Sequence, residues 1–190
     1  SVYNALGAAG ACLLLGAAAE EIAAGLTENP GVSGRFQTVR SKKGCQAVVD
    51  YAHTPDGLEN VLRTAKEFVK GRLIAVFGCG GDRDRTKRPI MGEIGGSLAD
   101  YCILTSDNPR TENPAAILED VEAGIKKTDC PYEKIVDRRE AIQRAVAMSG
   151  EGDVILIAGK GHETYQIFPD KTIHFDDIEE VRRAFGEDCL

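Results

Sequence analysis

Leu73-Ile-Ala-Val-Phe77 runs directly into Gly78-Cys-Gly-Gly-Asp-Arg-Asp-Arg-Thr-Lys-Arg88, and this stretch decides the fold. A short apolar run of this kind is typical of a fully buried parallel strand. The glycines allow a sharp bend with room for a ligand, and Pro89 predicts the start of a helix. Cations beside that backbone, as an anionic ligand requires, come from Arg83, Arg85, Lys87 and Arg88. The alternative is an ordinary loop with a solvated charge run, and this stretch alone leaves both open.

Composition limits the function classes. The 190 residues suffice for one α/β domain plus an appendage. A formal net charge of -7 and the lack of a long basic stretch argue against a nucleic acid partner, so an anion site must be a local pocket. The six cysteines form no Cys-x-x-Cys pair and have no histidine at metal-ligand spacing, which predicts a reduced, cytoplasmic protein.

Residues 4–26 are rich in Ala, Gly and Leu and predict two helices broken near Gly16. The uninterrupted apolar part is shorter than the roughly 18 residues of a membrane span, Glu20-Glu21 interrupts it, and no basic leader precedes it. We therefore expect neither a membrane span nor a signal peptide. Because Ser1 follows no strand or cap, we expect the chain to begin inside a larger protein. Turn residues at 29–34 predict a boundary or hinge.

Strand and helix patterns then alternate, which predicts an α/β fold with a doubly wound, mostly parallel sheet. A strand pair around residues 41–44 forms its antiparallel edge, and the helical segment precedes it. Strands are predicted at residues 35–40, 45–50, 73–77, 101–105, 134–136 and 154–158. Helices are predicted at residues 55–70, 89–99, 114–125 and 138–148 and from 176 onward, with a hairpin at 165–175. The first of these helices is expected to bury Val61, Leu62, Ala65, Phe68 and Val69.

Four polar clusters follow predicted strands, and carboxyl ends of parallel strands form the usual ligand crevice of such sheets. The clusters are Asp50-Tyr-Ala-His-Thr-Pro-Asp56, Gly78 to Arg88, Thr105-Ser-Asp-Asn-Pro-Arg110 and Ala158-Gly-Lys-Gly-His-Glu163. No P-loop, Gly-x-Gly-x-x-Gly fingerprint or Gly-x-Ser-x-Gly elbow is present. The coincidence of four polar clusters at one edge of the sheet predicts a ligand-binding site there.

The single residues keep two interpretations. Asp107 and Asn108 before a proline can simply build a turn, whereas Arg83 and Arg110 offer planar forks that bind carboxylates. Glu163 can pair with a ligand ammonium or with Lys160 in a surface ion pair. His53 and His162 are either ordinary structural histidines or catalytic ones.

The four clusters, in this order and spacing, resemble the Mur ligases, ATP-dependent amide-forming enzymes of peptidoglycan synthesis. Within that family they are most similar to the tripeptide synthetases that add meso-diaminopimelate. The resemblance implies a Rossmann-like carboxyl-terminal, amino-acid-binding domain at residues 36–190, a hinge at 32–35, and the last helices of the central ATPase domain at 1–31. The family's P-loop and magnesium ligands are missing here, so no metal site is expected in this chain, and ATP and Mg²⁺ would be bound mainly by the missing central domain.

The resemblance also implies roles. The complete enzyme would phosphorylate the D-glutamate carboxylate of UDP-MurNAc-L-Ala-D-Glu and let the amine of meso-diaminopimelate attack the acyl phosphate. Contacts to the incoming amino acid are implied for Arg83, Asp107, Asn108, Arg110, Gly159 and Glu163. Contacts to ATP are implied for Asn4, Arg35 and Asp50, with His53 beside them as the one catalytic candidate.

Three rival interpretations stay open. The first is another ligase of the family, such as a lysine-adding one, which Arg110 disfavours because that arginine is the family's mark of meso-diaminopimelate. The second is a non-catalytic nucleotide- or amino-acid-binding module. The third is an oligomerisation domain built on residues 4–26.

Overall fold

A computed structural model describes residues 2–29 and 31–190 of the chain. The chain forms two compact units that divide between Val32 and Ser33. Pro30, part of the predicted turn at 29–34, and Ser1, the predicted internal start, lie outside the described residues.

The first unit consists of two helices, α1 (Val2–Leu14) and α2 (Ala19–Glu28). Gly16 separates them with a φ of +90°, a backbone conformation that glycine adopts without strain. The Glu21 carboxylate accepts a hydrogen bond from the Ala18 N–H at 3.0 Å and so caps the start of α2. Neither helix has a buried residue, and Leu6, Leu13 and Leu14 are exposed. No helix among the described residues is long and apolar enough to span a bilayer.

The second unit is built on a six-stranded sheet in the order β1-β2-β6-β3-β4-β5. All neighbouring strands are parallel except β1, which pairs antiparallel with β2. A separate antiparallel hairpin contains β7 and β8. The strands are β1 (Gln37–Arg40), β2 (Gln46–Asp50), β3 (Leu73–Phe77), β4 (Tyr101–Leu104), β5 (Tyr132–Lys134), β6 (Val154–Ala158), β7 (Tyr165–Ile167) and β8 (Thr172–His174). The predicted mostly parallel sheet with an antiparallel edge is confirmed.

Helices cover both faces of this sheet. They are α3 (Pro55–Lys66), α4 (Lys87–Leu98), α5 (Pro114–Ile125), α6 (Arg138–Met148) and α7 (Asp177–Phe185), followed by a short 3₁₀ turn at Gly186–Asp188. Alternate residues of β3 point to opposite faces, so Ala75 and Phe77 pack with α3, α4 and α5, while Ile74 and Val76 pack with α6 and α7. The sheet is therefore doubly wound, as predicted.

Several predicted boundaries were wrong, among them the start of β1, which lies at Gln37 rather than residue 35, and three further errors have a clear physical cause. Helix α3 ends at Lys66 rather than residue 70, because the chain turns there and the Gly71 N–H bonds to the Gly152 carbonyl. Phe68 consequently lies outside the helix and stays 38% exposed. Helix α4 begins at Lys87, and its proline sits in the first turn, where a missing N–H costs little.

The third error concerns β5, which was predicted at residues 134–136 and lies at Tyr132–Lys134. An edge strand is defined by backbone pairing rather than by apolarity, and Tyr132 pairs in register with Cys102 of β4. The Tyr132 hydroxyl bonds to Glu122 at 2.9 Å, which holds this polar segment against α5.

A buried ion pair ties the helices to the carboxyl edge of the sheet. The side chains of Arg138 and Asp177 are fully buried and meet through two 2.7 Å hydrogen bonds. Arg138 also donates to the Ala158 carbonyl at 3.1 Å and so fixes the end of β6. Removing either partner alone would leave an uncompensated buried charge.

Candidate functional site

The four predicted polar clusters meet at one edge of the sheet. They follow β2, β3, β4 and β6, which are mutually parallel and place their carboxyl ends side by side. Between them lies an open cavity of about 580 Å³. Its walls are formed by Tyr51, His53, Thr54, Gly78, Cys79, Gly80, Arg83, Asp84, Lys87, Asp107, Asn108, Arg110, Gly159, Glu163 and Tyr165. Every cluster contributes to this list.

The loop after β3 reaches the cavity because it packs closely on the loop after β4. Gly81 donates its N–H to the Asn108 carbonyl at 2.9 Å, and a side chain at Gly81 would collide with the Pro109 carbonyl. A side chain at Gly80 would instead lie 2.8 Å from the Arg110 guanidinium. These two glycines therefore bring two backbones, and with them two arginines, to one place.

Arg83 and Arg110 both line the cavity. Arg83 is exposed, and within residues 2–29 and 31–190 no hydrogen bond or ion pair engages its guanidinium. Arg110 is half-buried and donates from Nη1 to the Gly81 carbonyl at 2.8 Å. Its φ is +52°, a left-handed conformation rarely adopted by residues with a side chain, and its N–H bonds to the Ile167 carbonyl at 3.0 Å. A strained backbone of this kind is typical of a functional position.

Two of the four cations predicted to flank an anionic ligand do not line the cavity. Arg88 is fully buried and bonds to both Glu112 oxygens, at 2.7 and 2.9 Å, and to Asp120 at 2.9 Å. Arg85 also pairs with Asp120, at 3.0 Å. We call Arg85, Arg88, Glu112 and Asp120 the Arg88 network. The hydrogen bond from Arg88 and the backbone N–H of Asp82 lower the pKa of Glu112 to about 2.

Asp107 and Asn108 form a buried corner of the cavity. The Asp107 carboxylate accepts from the Asn108 N–H at 2.6 Å, as the turn interpretation expects. The other carboxylate oxygen faces Gly159, where a Cβ would lie only 2.6 Å from it. Gly159 also has a φ of +123°, so both its backbone and its surroundings require glycine.

Of the two interpretations of Glu163, the ion pair with Lys160 is present, and the pairing with a ligand ammonium stays a prediction. Glu163 lines the cavity and also pairs with Lys160 at 3.2 Å, but the pair is not a surface one because Lys160 is fully buried. The Asn108 amide donates to the same Glu163 oxygen at 2.8 Å. Burial lowers the pKa of the Lys160 amine, while the negative charges of Asp107 and Glu163 act in the opposite direction.

Three further residues considered in the sequence analysis, His53, His162 and Arg35, lie around the ring of Tyr51. The Tyr51 ring lies 4.7 Å from that of His53 and 4.9 Å from that of His162, and the Arg35 guanidinium lies 4.8 Å above it. His53 lines the cavity, and its Nδ1 contacts the Tyr51 carbonyl at 2.9 Å. Since a carbonyl only accepts, Nδ1 carries a proton in this contact, and the neutral ring would therefore have its lone pair on Nε2.

Two predicted nucleotide-contacting residues of this unit, Arg35 and Asp50, lie outside the cavity wall. Both carboxylate oxygens of Asp50 accept backbone bonds, from Phe36 at 2.8 Å and from Ala52 at 2.9 Å, so this side chain shapes the loop after β2. Asn4 lies in α1, in the first unit. Among the described residues, no three His, Cys, Asp or Glu side chains are arranged to hold a metal ion.

Sequence reasoning missed the side chains that hold this edge together. Arg88, Arg138 and Lys160 are fully buried, and no local pattern distinguishes them from exposed cations. Lys160 gave one weak signal, because it stands between two glycines without an apolar neighbour. Gln166 gave none, although it is buried and donates to the Asp107 carbonyl at 2.7 Å.

The sequence profile of the family described as "Mur ligase, glutamate ligase domain" matches residues 34–161. The chain belongs to the Mur ligase family. The matched segment contains the four polar clusters except for the last two residues of the fourth. The resemblance drawn from those clusters is thus confirmed.

Curated relatives within the Mur ligase family are named UDP-N-acetylmuramoyl-L-alanyl-D-glutamate--2,6-diaminopimelate ligase. The one from Clostridium botulinum is 54% identical over 189 residues, which cover 98% of this chain and 39% of the relative. A second, from Clostridium acetobutylicum, is 55% identical with the same coverage. The chain therefore spans about two fifths of the length of these relatives.

Solved ligase structures have the same fold. A structure titled as UDP-N-acetylmuramoyl-L-alanyl-D-glutamate--2,6-diaminopimelate ligase superposes with a TM-score of 0.77 at 44% identity, over 97% of this chain and 38% of that one. A pseudomurein peptide ligase type C from Methanothermus fervidus superposes with a TM-score of 0.62 at 26% identity, over 84% of this chain and 33% of that one.

Proposed function

We propose that this chain is the carboxyl-terminal, amino-acid-binding part of an ATP-dependent ligase that adds meso-diaminopimelate to UDP-MurNAc-L-Ala-D-Glu. One observation carries the proposal: Arg83, Arg110 and Glu163, which are distant in sequence, line a single cavity. The names of the curated relatives support the same substrate pair.

The charges of the cavity suit an amino acid group. Arg110 presents a planar fork beside the unpaired guanidinium of Arg83, and such forks bind a carboxylate through two parallel hydrogen bonds. Asp107 and Glu163 supply negative charge for an ammonium. Diaminopimelate carries a carboxylate and an ammonium at each end, whereas lysine has only an ammonium at the far end of its side chain. A buried or half-buried guanidinium that lysine leaves unpaired therefore favours diaminopimelate.

The reaction assigns this unit a positioning role. Phosphorylation of the D-glutamate side-chain carboxylate gives an acyl phosphate, the amine of the bound amino acid attacks the acyl carbon, and phosphate leaves. The cavity would hold one amino acid group of diaminopimelate so that the other reaches the acyl phosphate. Such orientation contributes a large part of the rate in two-substrate reactions. His53, whose Nε2 is free, is our candidate for taking a proton from the attacking amine.

Nucleotide binding is proposed for the surface around Tyr51. The exposed Arg35 guanidinium lies over the Tyr51 ring and is suited to a phosphate or ribose. Asp50 would act there through the loop it holds, and Asn4 would contact ATP from α1. The described residues offer no cluster of metal ligands, so Mg²⁺ would be held by another part of the complete ligase.

Domain organisation and location remain part of the proposal. Residues 1–31 would be the last helices of the central ATPase domain, 32–35 would be the hinge, and 36–190 would be the amino-acid-binding domain. The exposed apolar residues of α1 suit a helix that packs on such a domain. A cytoplasmic location agrees with ATP-dependent chemistry and with six free cysteines.

Amino acid competition tests the proposal. In a complete ligase that carries this chain, meso-diaminopimelate should be incorporated and a large excess of lysine should compete poorly. Arg110→Ala should raise KM for diaminopimelate about 30-fold or more, because a charged hydrogen-bonded partner contributes about 2–5 kcal/mol. KM for ATP should stay within about twofold, since no nucleotide contact is proposed for Arg110.

Arg85→Ala is the matched control, because Arg85 belongs to the same charged stretch but pairs with Asp120 away from the cavity. It should leave both KM values nearly unchanged. Unchanged diaminopimelate kinetics in Arg110→Ala would refute the proposed binding mode. Equal use of lysine would favour the lysine-adding ligase, and binding without any product would favour a non-catalytic module.

A further inference from the structure

We infer that Lys160 is a positioning residue that fixes Glu163 and Asn108 for recognition of the ligand's ammonium. The inference rests on the proposed function and goes beyond it, because Lys160 is not part of the cavity wall. It assigns the affinity for the amino acid partly to a cation that the amino acid never touches.

The first support is a closed triangle of contacts. The Lys160 ammonium lies 3.2 Å from Oδ1 of Asn108 and 3.2 Å from Oε2 of Glu163. The Asn108 amide nitrogen donates to that same Glu163 oxygen at 2.8 Å. Three side chains from two loops therefore fix one another, and the Asn108 amide has a defined orientation because its oxygen accepts from both Lys160 and the Ile167 N–H, the latter at 3.0 Å.

The second support is that the two carboxylate oxygens of Glu163 differ in their hydrogen bonds. Every hydrogen bond of this carboxylate within the described part of the chain goes to Oε2. Oε1 is thus available to a ligand at the cavity wall, where Glu163 lies. Without Lys160, Oε2 would lose a charged partner and the carboxylate could rotate either oxygen toward the cavity.

The third support is charge balance at the acidic end of the cavity. Asp107 and Glu163 bring two negative charges into a largely buried corner, and the fully buried Lys160 supplies one positive charge. The nearby buried Arg138 is neutralised by its ion pair with Asp177, so one uncompensated negative charge remains, which matches the single ammonium of one amino acid group. The burial of an ammonium is costly, and the Tyr165 ring, 5.5 Å from Lys160, adds a favourable cation–π contact.

A double-mutant cycle tests the inference in a complete ligase that carries this chain. Lys160→Met keeps much of the stem and removes the ammonium, so KM for diaminopimelate should rise about tenfold while KM for ATP stays within about twofold. If Lys160 acts through Glu163, adding Lys160→Met to Glu163→Gln should raise KM by less than about threefold further. Full additivity of the two changes, or an equal rise in both KM values, would overturn the inference.

Two further variants keep the test decisive. Lys127→Met removes a lysine whose exposed ammonium pairs with Glu93 at 2.9 Å, and it should change neither KM. If Lys160→Met does not fold, Lys160→Gln takes its place in the same cycle with the same expectations. A parent enzyme that does not use diaminopimelate would overturn both proposals, whereas a parent that uses it with an additive cycle would overturn the role of Lys160 alone.

Discussion

Arg83 and Arg88 belong to one charged stretch of sequence, Arg83 in the loop after β3 and Arg88 in the first turn of α4, but their side chains have opposite roles. Arg83 is exposed at the cavity and has no partner among the described residues. Arg88 is fully buried and bonds to Glu112 and Asp120. The first leaves its charge available for a ligand, whereas the second uses its charge to hold the loop. Partners elsewhere in the chain, and not residue type or local sequence, therefore decide which cation is functional.

The largest expected effect comes from the Arg88 network. Arg88→Met should lower the free energy of unfolding by about 3 kcal/mol, because Glu112 and Asp120 lose a buried partner. Arg83→Met should change it by less than about 0.5 kcal/mol, as expected of an exposed side chain without partners. Urea unfolding of both variants measures the difference. Similar losses in the two variants would show that the contrast between these arginines is wrong.

Substitutions at the adjacent glycines Gly80 and Gly81 should affect different properties, ligand binding at Gly80 and stability at Gly81. Gly81→Ala should destabilise the unit by about 1–3 kcal/mol, because its Cβ meets the rigid Pro109 backbone. Gly80→Ala should cost less than about 0.5 kcal/mol, because its Cβ meets the flexible end of Arg110 instead. Gly80→Ala should nevertheless weaken diaminopimelate binding about tenfold by displacing that guanidinium.

Thermal unfolding and calorimetric titration of meso-diaminopimelate, run on the same preparations, check this pair. If Gly80→Ala binds normally, Arg110 does not contact the ligand from the position seen here. If Gly81→Ala is as stable as the parent, the close packing of the two loops is not needed for the fold.

Acid unfolding gives the smallest expected effect. The pKa of Glu112 is lowered from its ordinary 4.5 to about 2, chiefly by the hydrogen bond from Arg88. The ionised carboxylate thus stabilises the fold above pH 4.5, and this contribution is lost as the pH falls toward 2. Glu112→Gln should flatten the decline of the free energy of unfolding in that window. Glu119→Gln, a change at an exposed position of α5, should keep the slope of the parent, and equal slopes for all three proteins would contradict the assignment.

Much of the fold follows from local patterns. The apolar run 73–77 forms β3, Thr54 caps α3 by accepting from the Gly57 N–H, and Asp176 caps α7. The gathering of His53, Arg83, Asp107, Asn108, Arg110, Gly159 and Glu163 at one cavity follows from the alignment of parallel strand ends. Their roles toward a ligand stay predictions.

The structure adds what depends on distant partners. Lys160 resembles a loop cation in sequence, but it bonds to Asn108, which another strand brings near. Arg88 pairs with Glu112 and Asp120, which approach it from the segment around α5. The end of α3 likewise depends on Gly152, far along the chain. A short stretch of sequence does not contain such distant partners. The burial of Lys160 and Arg88 and the end of α3 could therefore not be predicted from local patterns.

The strand order has a consequence for biosynthesis. Strand β6 lies between β2 and β3 but is made after all of the first five strands. Until residues 154–158 leave the ribosome, β2 and β3 each present an unpaired, mostly apolar edge, and such edges promote aggregation. A nascent chain that stops before Val154 should therefore bind chaperones or precipitate, and the ligand cavity forms only after this last insertion.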